Sequence, residues 1–166
     1  MTGKVLVVMG SDSDWNIMQK GVETLSAFGV SWEVEIASAH RTPERALYLS
    51  QTAREEGFGV IIAAAGAAAH LAGVLAAHTT LPVIGVPING TALQGVDALY
   101  ATVQMPSGVP VATVAIDGAK NAALLAIQIL AVTDAGLQKK LEDEKAAMSA
   151  QVAEKNEKVR GLARNS

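Results

Sequence analysis

An α/β fold, built of repeated strand–helix units on a parallel sheet, is what this sequence predicts. Short β-branched runs alternate with longer amphipathic or alanine-rich stretches, and no linker or low-complexity segment interrupts them. At 166 residues the chain has the length of one domain with one core, so residues 1–166 are expected to form a single unit.

Strand one is Lys4–Met9, followed by the loop GSDSD (residues 10–14) and a helix in which Trp15, Met18, Val22 and Leu25 share one face. Gly29 ends that helix. Strand two covers residues 31–36 and leads into SAHRTP (residues 38–43), where Thr42 is placed to cap the next helix, Pro43 takes its first position and Gly57 is placed to stop it. Strand three, residues 60–64, passes through Gly66 into an alanine-rich helix containing His70. Strand four is 83–86, with a shorter helix over 96–103; strand five is 111–116, with a helix over 119–132 that is apolar nearly all round and therefore buried on more than one side. From 134 onward the chain is polar and helical, yet Leu137, Leu141, Met148, Val152 and Val159 fall within one narrow arc. Such a stripe predicts that the helix over 133–160 packs on its own or a neighbouring subunit.

Composition excludes several classes of function. A net charge of −3 gives no basic field to hold a nucleic-acid backbone or an anionic membrane, so any phosphate is bound locally. With no cysteine there are no disulfides or thiolate metal sites, which is compatible with a reducing cytoplasm. The apolar run ending at Met9 is too short for a signal peptide. No charged residue stands between Glu56 and Asp97, but Gly66, His70, Gly73, Pro82 and Pro87 punctuate that stretch, which fits a buried strand, helix and strand better than a membrane span. Only 17% of residues are charged, too few to coat the surface, so identical subunits are expected to cover the remainder.

In an open parallel sheet, ligands bind outside the carboxyl ends of the strands, where strand order reverses. With the order 2-1-3-4-5 the loops GSDSD, SAHRTP and AAAGAAAH (residues 63–70) lie side by side. The first opens a helix, so its backbone N–H groups and the hydroxyls of Ser11 and Ser13 can donate to an anion, unless one of these residues serves only as an N-cap. Asp12 and Asp14 are acceptors; Asp14 suits the hydroxyls of a ribose. Arg41 supplies a planar cation suited to phosphate and Ser38 a further donor. His40 can give and take a proton near neutral pH, against the plainer alternative of an exposed or capping side chain. His70 reads more simply as a satisfied, partly buried helical histidine, and His78 as a contact with its helix dipole. The three histidines lack ligand-like spacing, so no metal is expected. Walker A, G-x-G-x-x-G and G-x-S-x-G patterns are all absent.

Taken together, VMGSDSDW, SAHRTPE, AAHL, LPVIGVPI, VQMPSGVPVATVAI and KNAALLA resemble, in order and in register over residues 5–130, the class I N5-carboxyaminoimidazole ribonucleotide mutase family (PurE). Arg41 with Pro43, and His70, are similar to the bacterial mutase branch rather than the animal-type carboxylase branch. The resemblance implies a flavodoxin-like, three-layer, doubly wound five-stranded sheet with a C-terminal helical extension, assembled as a cytoplasmic homo-octamer. It implies rearrangement of N5-carboxyaminoimidazole ribonucleotide to 4-carboxy-5-aminoimidazole ribonucleotide without ATP, metal or organic cofactor. By motif, Ser11, Ser38 and Arg41 would hold the phosphate and Asp14 the ribose. Ala64 and His70 would join the substrate site, and His40 would be the general acid and base. The family usually has glycine where this chain has Ala64 and Ala67, proline where it has Ala72, and a slightly longer connection between Ile116 and Lys120; extra methyls there are expected to restrict the loop over the substrate. The rival readings are a carboxylase using free carbon dioxide on aminoimidazole ribonucleotide and a non-catalytic nucleotide-binding module. The 4% aromatic content offers little to stack on a flavin.

Overall fold

The computed structural model describes residues 3–164. Five parallel strands form one sheet in the order β2-β1-β3-β4-β5. They are β1 (Lys4–Met9), β2 (Trp32–Ile36), β3 (Phe58–Gly66), β4 (Val83–Ile88) and β5 (Ala112–Thr113). The helices are α1 (Trp15–Phe28), α2 (Pro43–Thr52), α3 (Leu71–Ala77), α4 (Val96–Val103), α5 (Ala119–Ala131) and α6 (Ala135–Arg164). Because side chains alternate across a strand, the two faces of the apolar strands β1, β3 and β4 each need a cover. Val5, Val7, Met9, Val60 and Ile62 pack under α1 and α5, while Leu6, Val8, Ile61 and Ala63 pack with residues of α2 and α3 on the opposite face. Both layers close tightly. A Cβ at Gly21 would stand 2.9 Å from the Ala119 carbonyl oxygen, so even alanine there would push α1 off α5.

Several boundaries differ from the sequence reading. β3 runs beyond 60–64 because Phe58 pairs with Lys4 across a register shift and Ala65 and Gly66 continue the pairing with β4. β4 continues through Pro87, which sequence rules place outside a central strand. Its carbonyl faces the β5 side, where it accepts the Asp117 N–H at 2.9 Å, and the N–H it lacks is the one that would follow the Val114 N–H bond to the Gly85 carbonyl at 3.1 Å, so the ladder to β5 stops there. β5 itself is two residues, not 111–116, since it pairs only at Ile84–Ala112 and Gly85–Thr113 before the chain turns toward α5.

Helix ends show the same mixture. Gly29 closes α1 with φ 73°, as its place in the sequence predicts. Gly57 does not stop α2, which ends at Thr52; the glycine lies beyond a turn, at φ 87°. Thr42 stands at the α2 N-cap position, but its hydroxyl accepts the Ser38 N–H at 2.9 Å and leaves the helix uncapped by a side chain. His70 precedes α3 rather than lying within it.

α6 is held by its first turns. Asp134 Oδ1 accepts the Leu137 N–H at 2.9 Å, Leu137 is buried, and Lys140 Nζ donates to the Phe28 carbonyl at 2.6 Å, a cation meeting the end of α1. Leu141 is half-buried against the core; Met148, Val152 and Val159, the rest of the stripe, are exposed. Among the described residues, no helix is long and apolar enough to cross a membrane.

Candidate active site

The loop after β1 is shaped by its own hydroxyls. Gly10 N–H donates to the Ala64 carbonyl at 2.9 Å, which continues the ladder one residue beyond the strand. A single 3₁₀ turn, Asp12–Asp14, then leads into α1. Ser11 is its N-cap, accepting from the Ser13 N–H at 3.3 Å, while Asp14 Oδ2 accepts the Ser11 N–H at 3.2 Å to complete a capping box. Asp14 is 5% exposed. Burial pushes its carboxyl above the ordinary carboxylate value, with the neighbouring Asp12 charge adding to this and hydrogen bonds from Ser11 and Ser13 opposing it.

The loop after β2 closes on itself around Ser38. Arg41 N–H donates to Ser38 Oγ at 3.2 Å, Thr42 N–H donates to the Ser38 carbonyl at 2.9 Å, and Thr42 Oγ1 donates to the same carbonyl at 3.2 Å. This is why Thr42 does not cap α2: its hydroxyl fixes the turn that presents His40 and Arg41. Arg41 Nη2 reaches the Gly10 carbonyl at 3.2 Å and so joins the first two loops.

Between these loops and the ends of β3 and β4 lies an open cavity of about 760 Å³, within the range of small-molecule sites. Of the residues singled out from the sequence, Ser11, Asp14, Ser38, His40 and Arg41 all line it. Ala64 does not. It is fully buried in β3, and residues 65–68 supply that part of the wall. His70 is not part of the lining either, nor is it the partly buried helical residue expected: it is exposed, and its Nδ1 lies 2.9 Å from His40 Nε2, with the rings edge-to-face at 5.0 Å between centroids. One nitrogen of that contact must carry the hydrogen, so the pair fixes complementary tautomers. His78 Nδ1 meets the Val74 carbonyl at 2.8 Å, away from the cavity.

Ile88 at the end of β4, and Asn89 and Gly90 in the loop after it, also line the cavity, and sequence reasoning did not single them out. The strand-end rule that selected the first three loops applies equally to the fourth, but INGT carries no ionisable residue to draw attention to it. Ala67, at φ 52°, adopts the left-handed backbone that favours glycine, so alanine at this position is strained.

A family model described as AIR carboxylase matches residues 4–151. An N5-carboxyaminoimidazole ribonucleotide mutase from Pyrococcus horikoshii is 53% identical over 92% of this chain and 86% of its own length. One from Escherichia coli (strain K12) is 51% identical over 96% of this chain and 95% of its own. The crystal structure of Treponema denticola PurE is similar at a TM-score of 0.83 and 28% identity, over 93% of this chain and 96% of that one.

Proposed function

The chain belongs to the AIR carboxylase family, and from that premise we propose that its cavity rearranges N5-carboxyaminoimidazole ribonucleotide into 4-carboxy-5-aminoimidazole ribonucleotide with His40 as general acid and base. The activity is that of a purine-biosynthesis isomerase, and the curated relatives carry the mutase name, so the carboxylase alternative is not favoured. One observation carries the assignment of roles: His40 opens onto the same cavity as Ser11, Asp14, Ser38 and Arg41.

Arg41, beside the donors of the first two loops, offers charge-assisted hydrogen bonds to the phosphate, and Asp14 accepts from the ribose hydroxyls. That holds the imidazole ring of the substrate near His40. Delivery of a proton from His40 to the carbamate nitrogen breaks its bond to the carboxyl carbon and releases carbon dioxide. The electron-rich ring carbon C4 then attacks the trapped carbon dioxide, and His40 takes the C4 proton, returning to its starting state. Ala65, Gly66, Ala67 and Ala68 leave room for the ring to lie close to backbone. His70, against His40, positions the His40 ring.

The same reading makes the enzyme a cytoplasmic homo-octamer with cavities near subunit contacts. Exposed Leu93, Tyr100 and Val103 beside and on α4, and the exposed end of the α6 stripe, supply apolar surface for such contacts. Turnover of substrate generated in situ, measured with and without added bicarbonate, tests the reaction. Formation of the carboxylated ring independent of bicarbonate is expected; formation only with bicarbonate would overturn it.

A further inference from the structure

β5 ends at Thr113, yet the β4 backbone beyond it is not left without partners. Asp117 N–H donates to the Pro87 carbonyl at 2.9 Å, and Asp117 Oδ1 accepts the Asn89 N–H at 2.9 Å. In a parallel ladder one residue bridges its neighbour in this way, donating to the residue before and accepting from the residue after. Here the bridged residue is Ile88, and the carboxylate replaces the carbonyl. Asp117's own carbonyl accepts the Ala119 N–H at 2.9 Å, at the start of α5. That division of acceptors goes with a left-handed backbone, φ 58°, which costs any residue but glycine. Aspartate and asparagine are the side chains that both tolerate this conformation and reach a nearby backbone N–H.

The bridged segment is functional ground, because Ile88, Asn89 and Gly90 form the wall of the cavity contributed by β4. The rest of the β4–α4 connection is held from its other end. Thr91 Oγ1 donates to Asp97 Oδ2 at 2.9 Å, and Gly95 sits at φ 84°, where a Cβ would come 2.7 Å from Ile116 Cγ2. Asn89 is thus the point at which that wall is fastened to the sheet edge, and Asp117 is its fastening.

We propose that Asp117 is a positioning residue for the reaction: its carboxylate adds a side-chain rung to the β4–β5 ladder and sets the Asn89–Gly90 wall against the bound ribonucleotide. The proposal rests on the reading of the cavity given above, and its test separates the two. Asp117→Gly removes the acceptor but relieves the strained φ, so the variant is expected to fold; Asp117→Asn keeps an acceptor in the same place. In unliganded protein, hydrogen exchange at the Asn89 amide should be about tenfold faster in Asp117→Gly than in wild type, and near wild type in Asp117→Asn. In the rearrangement assay Asp117→Gly should raise KM about threefold to tenfold with kcat nearly unchanged, the pattern of lost ground-state positioning, and Asp117→Asn should restore it. Unchanged exchange and KM in Asp117→Gly, or equal damage in both variants, would overturn the proposal. Wild-type protein inactive on the ribonucleotide, with the exchange pattern intact, would support the rung and sink the substrate reading instead.

Discussion

The cavity has two unlike walls. The one made by the loops after β1 and β2 is built of side chains: Ser11, Asp14, Ser38 and Arg41 make hydrogen bonds that hold each loop, and no residue there has a left-handed backbone. The wall from the far half of the sheet is built of backbone. Ala67, Gln94 and Asp117, the three non-glycine residues with positive φ among those described, follow β3, β4 and β5 in turn. One wall therefore owes its shape to side-chain hydrogen bonds within and between loops, and the other to a chain path that most substitutions would strain.

The sharpest way to break this contrast is His40→Asn. An exposed ring whose polar contact is His70 should leave Tm and nucleotide binding near wild type while turnover falls about 10²- to 10⁴-fold. A variant that keeps turnover would remove His40 from the chemistry. On the backbone side, Ala67→Gly exchanges a left-handed alanine, costing about 1–2 kcal/mol, for glycine's greater unfolded-chain freedom. Tm should hold or rise by a few degrees. The same exchange at Ala122, buried in α5, should cost about 1 kcal/mol or more of stability and lower Tm. If both lower Tm alike, Ala67 is not strained.

Asp14 gives the smallest effect, read through pH. Its carboxyl is raised in the folded protein, so the folded state binds that proton more readily than the unfolded chain. The stability it contributes is greatest below the unfolded value, near 4, and falls as pH rises through the folded one. Thermal melts of Asp14→Asn and wild type should therefore diverge in the variant's favour from acid toward neutral pH. A variant that loses stability relative to wild type over that range would contradict the burial of the charge.

What could be read from the sequence follows the same division. Lys4–Met9 emerges to the residue because an unbroken apolar run, covered on both faces of the sheet, stops at Gly10. His40, Arg41, Ser11 and Asp14 stand out because ionisable and hydroxyl groups are rare in the loops of an otherwise apolar chain. β5 was overestimated because β-branched residues report strand preference, whereas its length is set by where β4 still offers a partner. The His40–His70 contact joins residues 30 positions apart and has no local signature. Nor does alanine announce a left-handed turn, and Asn89 gains its place from Asp117, a residue on another loop.

α6 is anchored at its foot by Leu137 and Lys140, and its solvated remainder from Lys145 to Arg164 rises about 30 Å, roughly the width of a small domain. Fold and outreach are thus written in separate stretches of one helix. Shortening the chain from its carboxyl terminus to the middle of α6 would subtract reach while both hydrophobic layers stayed shut, so evolution can retune what this molecule touches without renegotiating how it holds together.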